Sequence, residues 1–204
     1  MNVTAILFDM DGVLIDSFES CYRTFNFTLE HFGAGKISRG EFTRECWGIP
    51  TGDDLEMYLK NGDVEKWSNF YHSAYPKFIE HSIIFPDTIE VLETVKDDFK
   101  TALVTNTYHE LTIKILKYFR IRDYFDVVLG GDDVKKGKPD PEIIIKACGM
   151  LGVSPSNAIL VGDTVSDMAA GKGAGCLRIG VGVDGDLRIE RLGELLEIIK
   201  GDES

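Results

Sequence analysis

Val3–Gly12, VTAILFDMDG, is the stretch that decides the fold. Its first six residues are mostly apolar, and the run ends at Asp9, where a polar loop containing Gly12 begins. A short apolar run cut off by such a loop is typical of a buried parallel strand rather than of a helix. Asp9 is therefore expected at the carboxyl end of a strand.

The same pattern recurs along the rest of the chain. Further apolar runs occupy residues 101–105, 126–129, 158–162 and 176–181, with helical stretches between them. Strands that alternate with helices predict an α/β fold, here a doubly wound parallel sheet. The C-terminal stretch 187–200 has apolar residues at helical spacing and predicts a helix that packs on this sheet.

One region, from Ser17 to Ser82, departs from this alternation because its periodic segments all predict helices. Two aromatic stripes at helical spacing are typical of a packed core: Phe18, Cys21, Tyr22, Phe25, Leu29 and Phe32, and Trp67, Phe70, Tyr71, Ala74 and Phe78. We therefore divide the chain into an α/β core, residues 1–16 and 83–204, and a small α-helical cap domain, residues 17–82, inserted after the first strand.

Composition and charge exclude several classes of partner. The chain has 204 residues, 44% of them hydrophobic, and a formal net charge of -12 without a basic run. An acidic protein repels nucleic acid and anionic lipid, so we expect neither as a partner. No signal-type start and no apolar stretch of about 18 residues is present, which favours a cytoplasmic protein. The scattered cysteines predict buried thiols rather than zinc ligands or disulfides.

Two carboxylates follow the first strand, Asp9 and Asp11. A structural turn needs only one acid and a glycine, and two adjacent acids repel each other unless a cation lies between them. Taken alone, an Asp-x-Asp pair fits a turn and a metal or catalytic site equally well.

Asp163 and Asp167 follow the strand predicted at 158–162. In a parallel sheet they emerge at the same edge as Asp9 and Asp11. Four converging carboxylates require a divalent ion, and a set of oxygen ligands suits Mg²⁺ rather than zinc. The alternative is that Asp167 only caps the helix that begins near Ser166.

Thr105 and Asn106 end a further strand, and Lys138 lies in a loop ahead of a helix. A hydroxyl and backbone N–H groups can bind phosphate oxygens, while an ammonium offsets the charge that opposes attack by a carboxylate. Alternatively, Thr105 is an ordinary strand residue and Lys138 a solvated loop lysine.

Taken in order, these segments resemble the motifs of the haloacid dehalogenase-like (HAD) hydrolase superfamily. The first is Phe8–Leu14, FDMDGVL; the others are Leu103–Asn106, Lys138-Pro139 and Gly162–Asp167, GDTVSD. The resemblance covers the whole chain and includes a helical cap between the first and second motifs. It implies a Rossmann-like core, and the overall pattern, including the loop at 138–142, is most similar to the phosphoglycolate phosphatase group.

The resemblance implies a role for each motif residue. Asp9 would be the nucleophile and a Mg²⁺ ligand, and Asp11 the general acid/base, with its backbone oxygen on the metal. Asp163 would be a further ligand, and Asp167 would act through metal-bound water. Thr105, Asn106 and Lys138 would bind the phosphate. The dehalogenases lack the second aspartate, so Asp11 favours phosphate chemistry over halide chemistry.

The implied function is hydrolysis of a small phosphorylated metabolite, such as a phosphoglycolate-like monoester or pyrophosphate, by a monomer or homodimer. A sugar-phosphate mutase of the same fold is an alternative, although mutases usually carry an arginine where this chain has Thr51. A catalytically inactive binding module is the alternative from another class. Specificity is expected in the cap, where Arg44, Trp47 and Thr51 flank the Gly48–Pro50 turn.

Overall fold

The structure, a computed structural model, describes residues 3–60 and 62–201. Its strands are β1 (Ala5–Phe8), β2 (Ile15–Asp16), β3 (Ile83–Ile84), β4 (Lys100–Val104), β5 (Val127–Leu129), β6 (Ala158–Gly162), β7 (Leu177–Val181) and β8 (Leu187–Ile189). Its helices are α1 (Phe18–His31), α2 (Arg39–Glu45), α3 (Asp53–Tyr58), α4 (Val64–Ala74), α5 (Thr88–Asp98), α6 (His109–Tyr118), α7 (Glu142–Leu151), α8 (Val165–Ala174) and α9 (Leu195–Gly201). No helix in these ranges combines the length and apolar character needed to cross a membrane.

The central sheet has six parallel strands in the order β5-β4-β1-β6-β7-β8. This arrangement confirms the predicted doubly wound parallel sheet. Strand β1 lies between β4 and β6, with Phe8 level with Leu103 and Val161. The loops that follow these three strands therefore meet at one edge of the sheet, and the acidic motifs lie in two of them.

Both faces of the sheet are covered by helices. Ile6 and Phe8 point into a core shared with α5, α6 and α9, whereas Ala5 and Leu7 pack with α7 and α8 on the other face. Successive strand side chains point to opposite faces, and burial on both sides explains why the strand sequences are continuously apolar.

The helical segment α1–α4 lies between β2 and β3, which pair antiparallel through Ile15 with Ile84 and Asp16 with Ile83. Its entry and exit are therefore hydrogen-bonded to each other. Ser38 caps α2 by accepting a hydrogen bond from the Glu41 N–H at 3.2 Å. Most residues of the predicted aromatic stripes pack in a cluster continuous with one face of the sheet, whereas Phe70 and Phe78 contact Phe27.

The C-terminal region differs from the predicted single helix. Residues Leu187–Ile189 form β8 instead, which extends the sheet beside β7, and the helix begins only at Leu195. Ile189, Leu192 and Leu195 are all buried, as the periodicity required. A short apolar run fits the period of a helix and that of a strand equally well. Residues 187–189 form a strand because the edge of β7 supplies hydrogen-bond partners.

His72 of α4 joins the helical segment to the α/β core. Its ring lies on that of Tyr108, which follows β4, with 4.0 Å between the centroids. The Nε2 atom is buried without a partner among the described residues. Burial lowers the pKa of His72 from 6.5 to about 4, so the folded protein holds this imidazole neutral.

His72 should make the protein less stable as the pH falls from 7 to 5. Below about pH 6.5 the unfolded chain binds a proton that the folded chain binds only near pH 4. The free energy of unfolding therefore decreases as the pH is lowered through this range. Between pH 7 and pH 5, wild type should lose about 2 kcal/mol more unfolding free energy than His72→Phe. Urea denaturation measures both, and equal losses would contradict the prediction.

Candidate active site

Asp9 lies at the carboxyl end of β1 and is only 5% exposed. Lys138 Nζ donates to its Oδ1 at 2.7 Å and to Asp167 Oδ1 at 2.6 Å. No described residue donates a hydrogen bond to the second oxygen of Asp9, Oδ2. The structure therefore holds one oxygen of a buried carboxylate in place and leaves the other free at a cavity wall.

Lys138 is as buried as the acids that it contacts, at 3% exposure. Burial lowers its pKa, but attraction to Asp167 and Asp9 more than offsets this, so the pKa lies above its usual value. Lys138 is therefore a charged member of the cluster and not the solvated loop lysine of the alternative interpretation.

Asp167 has both of the roles that the sequence left open, as a cap of α8 and as a member of the acidic cluster. Its Oδ2 accepts hydrogen bonds from the Thr164 N–H and hydroxyl, and its own N–H donates back to Thr164 Oγ1 at 3.1 Å, which caps α8. Its Oδ1 faces Lys138. A helix cap thus positions the same carboxylate in the acidic cluster.

Asp9, Asp163 and Asp167 each place a carboxylate oxygen within 4.8 Å of the others. Asp163 Oδ1 is buried without a partner among the described residues. Burial and then repulsion from Asp167 raise the pKa of Asp163 to about 7, and burial raises that of Asp9 well above its ordinary value. One lysine does not balance three acids, and this set of oxygen ligands has the charge and the donor chemistry that suit Mg²⁺.

Gly12 allows Asp163 to come this close to the first motif. Its φ is +81°, and a Cβ at this position would lie 2.0 Å from Asp163 Oδ2. A side chain there would be strained and would displace the carboxylate.

Asp11 lies apart from the three clustered acids. Its carboxylate accepts hydrogen bonds from the hydroxyls of Ser17 and Thr107, the latter at 3.1 Å. Burial raises its pKa, and these two hydroxyls partly oppose the shift. A raised pKa is what a carboxyl group needs to give up a proton and take one back near neutral pH. The sequence motifs did not point to Ser17 or Thr107, because each is one of several hydroxyl residues near the motifs.

Thr105 is buried at the cavity, where its Oγ1 accepts a hydrogen bond from the Thr107 N–H at 3.1 Å. The hydroxyl hydrogen of Thr105 can still be donated to another acceptor. The side chain of Asn106, a residue that we expected to bind phosphate, makes two hydrogen bonds to the lysine loop. Its Oδ1 accepts the Lys138 N–H at 2.8 Å and its Nδ2 donates to the Lys138 carbonyl at 3.0 Å. The Asn106 side chain therefore holds the lysine loop.

The turn at Gly48 brings the helical segment against the motif residues. Gly48 has a φ of +81°, and a Cβ there would lie 3.1 Å from Thr164 Cγ2. Trp47 and Thr51, on either side of this turn, line the same cavity as Asp9. Arg44 does not join them: its side chain is 67% exposed and lies 3.7 Å from Glu45.

The cavity between the two parts is small, about 70 Å³. The core contributes Asp9, Asp11, Thr105 and Lys138 to its wall. Opposite them, the helical segment contributes mainly aromatic side chains and thiols, together with one buried acid that the sequence analysis did not single out, Asp54.

Comparisons with known proteins agree with this geometry. Residues 6–181 match the family model of the haloacid dehalogenase-like hydrolases. The chain is 32% identical to pyrophosphatase PpaX of Halalkalibacterium halodurans, over 98% of both chains. It is 34% identical to phosphoglycolate phosphatase of Aquifex aeolicus, over 83% of this chain and 80% of that protein.

A solved structure extends the likeness to three dimensions. The HAD-superfamily hydrolase of Geobacter sulfurreducens has a TM-score of 0.79 and 26% identity, covering 96% of this chain and 99% of that one. The coverage includes the helical segment as well as the sheet.

Proposed function

The chain belongs to the haloacid dehalogenase-like hydrolases and is a phosphatase, and from this premise we propose that it is a cytoplasmic, Mg²⁺-dependent enzyme that forms an aspartyl-phosphate on Asp9. The observation that carries the proposal is the state of Asp9: buried, held through Oδ1 by Lys138, and free at Oδ2. Its substrates are small phosphorylated metabolites, in the class that includes phosphoglycolate-like monoesters and pyrophosphate.

Asp9 Oδ2 attacks phosphorus, and the bond to the leaving oxygen breaks. Lys138 and the Thr105 hydroxyl hold the phosphoryl oxygens in this step. Asp11 donates its proton to the leaving oxygen. As a carboxylate, Asp11 then takes a proton from the water that hydrolyses the aspartyl-phosphate, which restores both acids.

Asp9, Asp163 and the Asp11 carbonyl would hold the Mg²⁺, with Asp167 acting on its bound water. When bound, the ion offsets the negative charge that would otherwise keep phosphate away from carboxylates. The partnerless Asp163 Oδ1 supports this assignment. We further propose that residues 17–82 act as a cap that excludes water from the cavity.

Removal of Mg²⁺ should abolish the hydrolysis of an aryl phosphate. EDTA should stop phosphate release, and added Mg²⁺ should restore it. Binding can be measured apart from activity, because an ion that binds only the folded state raises the melting temperature. Mg²⁺ should therefore stabilise wild type but not Asp163→Asn.

Two results would contradict this proposal. Full activity in EDTA would exclude the metal, and equal Mg²⁺ stabilisation of wild type and Asp163→Asn would exclude the assigned ligand. The same assay tests the mutase alternative, because a mutase transfers phosphate within its sugar and releases little of it.

A further inference from the structure

Asp54 is a buried carboxylate in the cavity wall opposite Asp9. It is 5% exposed and lies at the start of α3, where its Oδ1 accepts the Gly52 N–H at 3.2 Å. Within residues 3–60 and 62–201 it forms no ion pair with a lysine, arginine or histidine. The neighbouring charge that acts on it is another acid, Asp53, and burial raises the pKa of Asp54 to about 7.

The surrounding cap wall supplies no positive charge. Around Asp54 it consists of Cys21, Phe42, Cys46, Trp47, Thr51 and Tyr71. Among the described residues that line the cavity, Lys138 is the one cation, and its ammonium is already bound by Asp9 and Asp167. A second anion on a substrate would therefore meet a buried acid and no counter-charge.

A buried carboxylate is costly unless it is paired with a cation or fully hydrogen-bonded. Asp54 receives hydrogen bonds from backbone N–H groups, and no described side chain donates to it. Backbone N–H groups use only part of the accepting capacity of a carboxylate, so a ligand group that carries a positive charge or a hydrogen-bond donor can bind its remaining lone pairs. The cavity that Asp54 lines is small, about 70 Å³, which favours a small leaving group over a large one.

We propose that Asp54 selects the leaving group, and that the preferred substrates are phosphomonoesters of small alcohols carrying an ammonium or a hydroxyl rather than a second anion. This inference rests on the proposed function, because it assigns the leaving group of that reaction to the wall facing Asp9. Within the proposed class of small phosphorylated metabolites, it makes phosphoglycolate and pyrophosphate the poorer substrates, because the group opposite the transferred phosphate is anionic in both.

The test compares substrates of equal length and different charge: phosphoethanolamine, 2-hydroxyethyl phosphate and 2-phosphoglycolate, with an aryl phosphate as reference. Wild type with Mg²⁺ should hydrolyse the first two with kcat/KM at least about tenfold above that for phosphoglycolate. Asp54→Asn should lower the value for phosphoethanolamine and raise it for phosphoglycolate. Glu56→Gln is the matched control, because Glu56 is an exposed acid of the same helix outside the cavity, and it should leave the ratios unchanged.

Each other outcome overturns the inference. A wild-type preference for phosphoglycolate refutes it without any variant, so the test does not depend on the folding of Asp54→Asn. A uniform loss for all substrates in Asp54→Asn would mean that Asp54 only holds the start of α3. Hydrolysis of the aryl phosphate alone refutes the substrate class, whereas no hydrolysis of any compound refutes the proposed function as well.

Discussion

Asp9→Asn is expected to abolish turnover while the protein still folds. The amide keeps the shape of the carboxylate and can still accept from Lys138, but it removes the nucleophile and one charge of the acidic cluster. The loss in kcat should be at least about 10³-fold, as expected when a covalent nucleophile is removed. Steady-state phosphate release measures the loss, and thermal denaturation checks the fold.

Asp123→Asn is a suitable control, because Asp123 is an exposed acid of the α/β core outside the cavity. This variant should retain wild-type turnover. Beryllofluoride or aluminium fluoride should place a phosphoryl mimic on Asp9 in the wild type. Residual activity of Asp9→Asn above about 1% of wild type, or a mimic bound to another residue, would refute covalent catalysis by Asp9.

Lys138→Ala should lower kcat/KM by roughly 10²–10³, comparable with the loss of one preorganised charge-stabilising donor. The variant also leaves Asp9 and Asp167 without the ammonium that lies 2.7 and 2.6 Å from them. Without metal, the free energy of unfolding should therefore fall by about 3–5 kcal/mol, the usual cost of breaking a buried ion pair. Enzyme kinetics and urea denaturation in EDTA measure the two effects separately.

Lys135→Ala and Lys136→Ala are the matched controls, because both lysines are exposed on the same loop. Neither should change turnover or stability appreciably. Equal losses at all three positions would mean that the loop contributes only a diffuse positive field.

The sequence was sufficient to predict the sheet and the convergence of its acidic motifs. Strands buried on both faces appear as continuous apolar runs, and the carboxyl ends of parallel strands share one edge of the sheet. Asp9, Asp163 and Asp167 could therefore be expected together from the sequence, and the structure places their carboxylates within reach of one ion.

Other features depended on contacts between residues far apart in the chain. Asn106 bonds the backbone of Lys138, and Ser17 and Thr107 hold Asp11 from separate segments. Nothing local in the sequence distinguishes these polar residues from the others beside the motifs.

In the cap, amphipathic periodicity predicted the helices, but it could not show which residues of the loops face the cavity. Arg44 lies two positions from the buried Phe42 on α2, and residues at that spacing point to different sides of a helix. Asp54, in the first turn of α3, lines the cavity. The sequence alone thus determined five of the six strands of the central sheet and the convergence of its motif acids, since these follow from local periodicity and strand direction. Only the tertiary structure decided what faces the substrate, because that depends on how the helical segment is rotated and packed against the sheet.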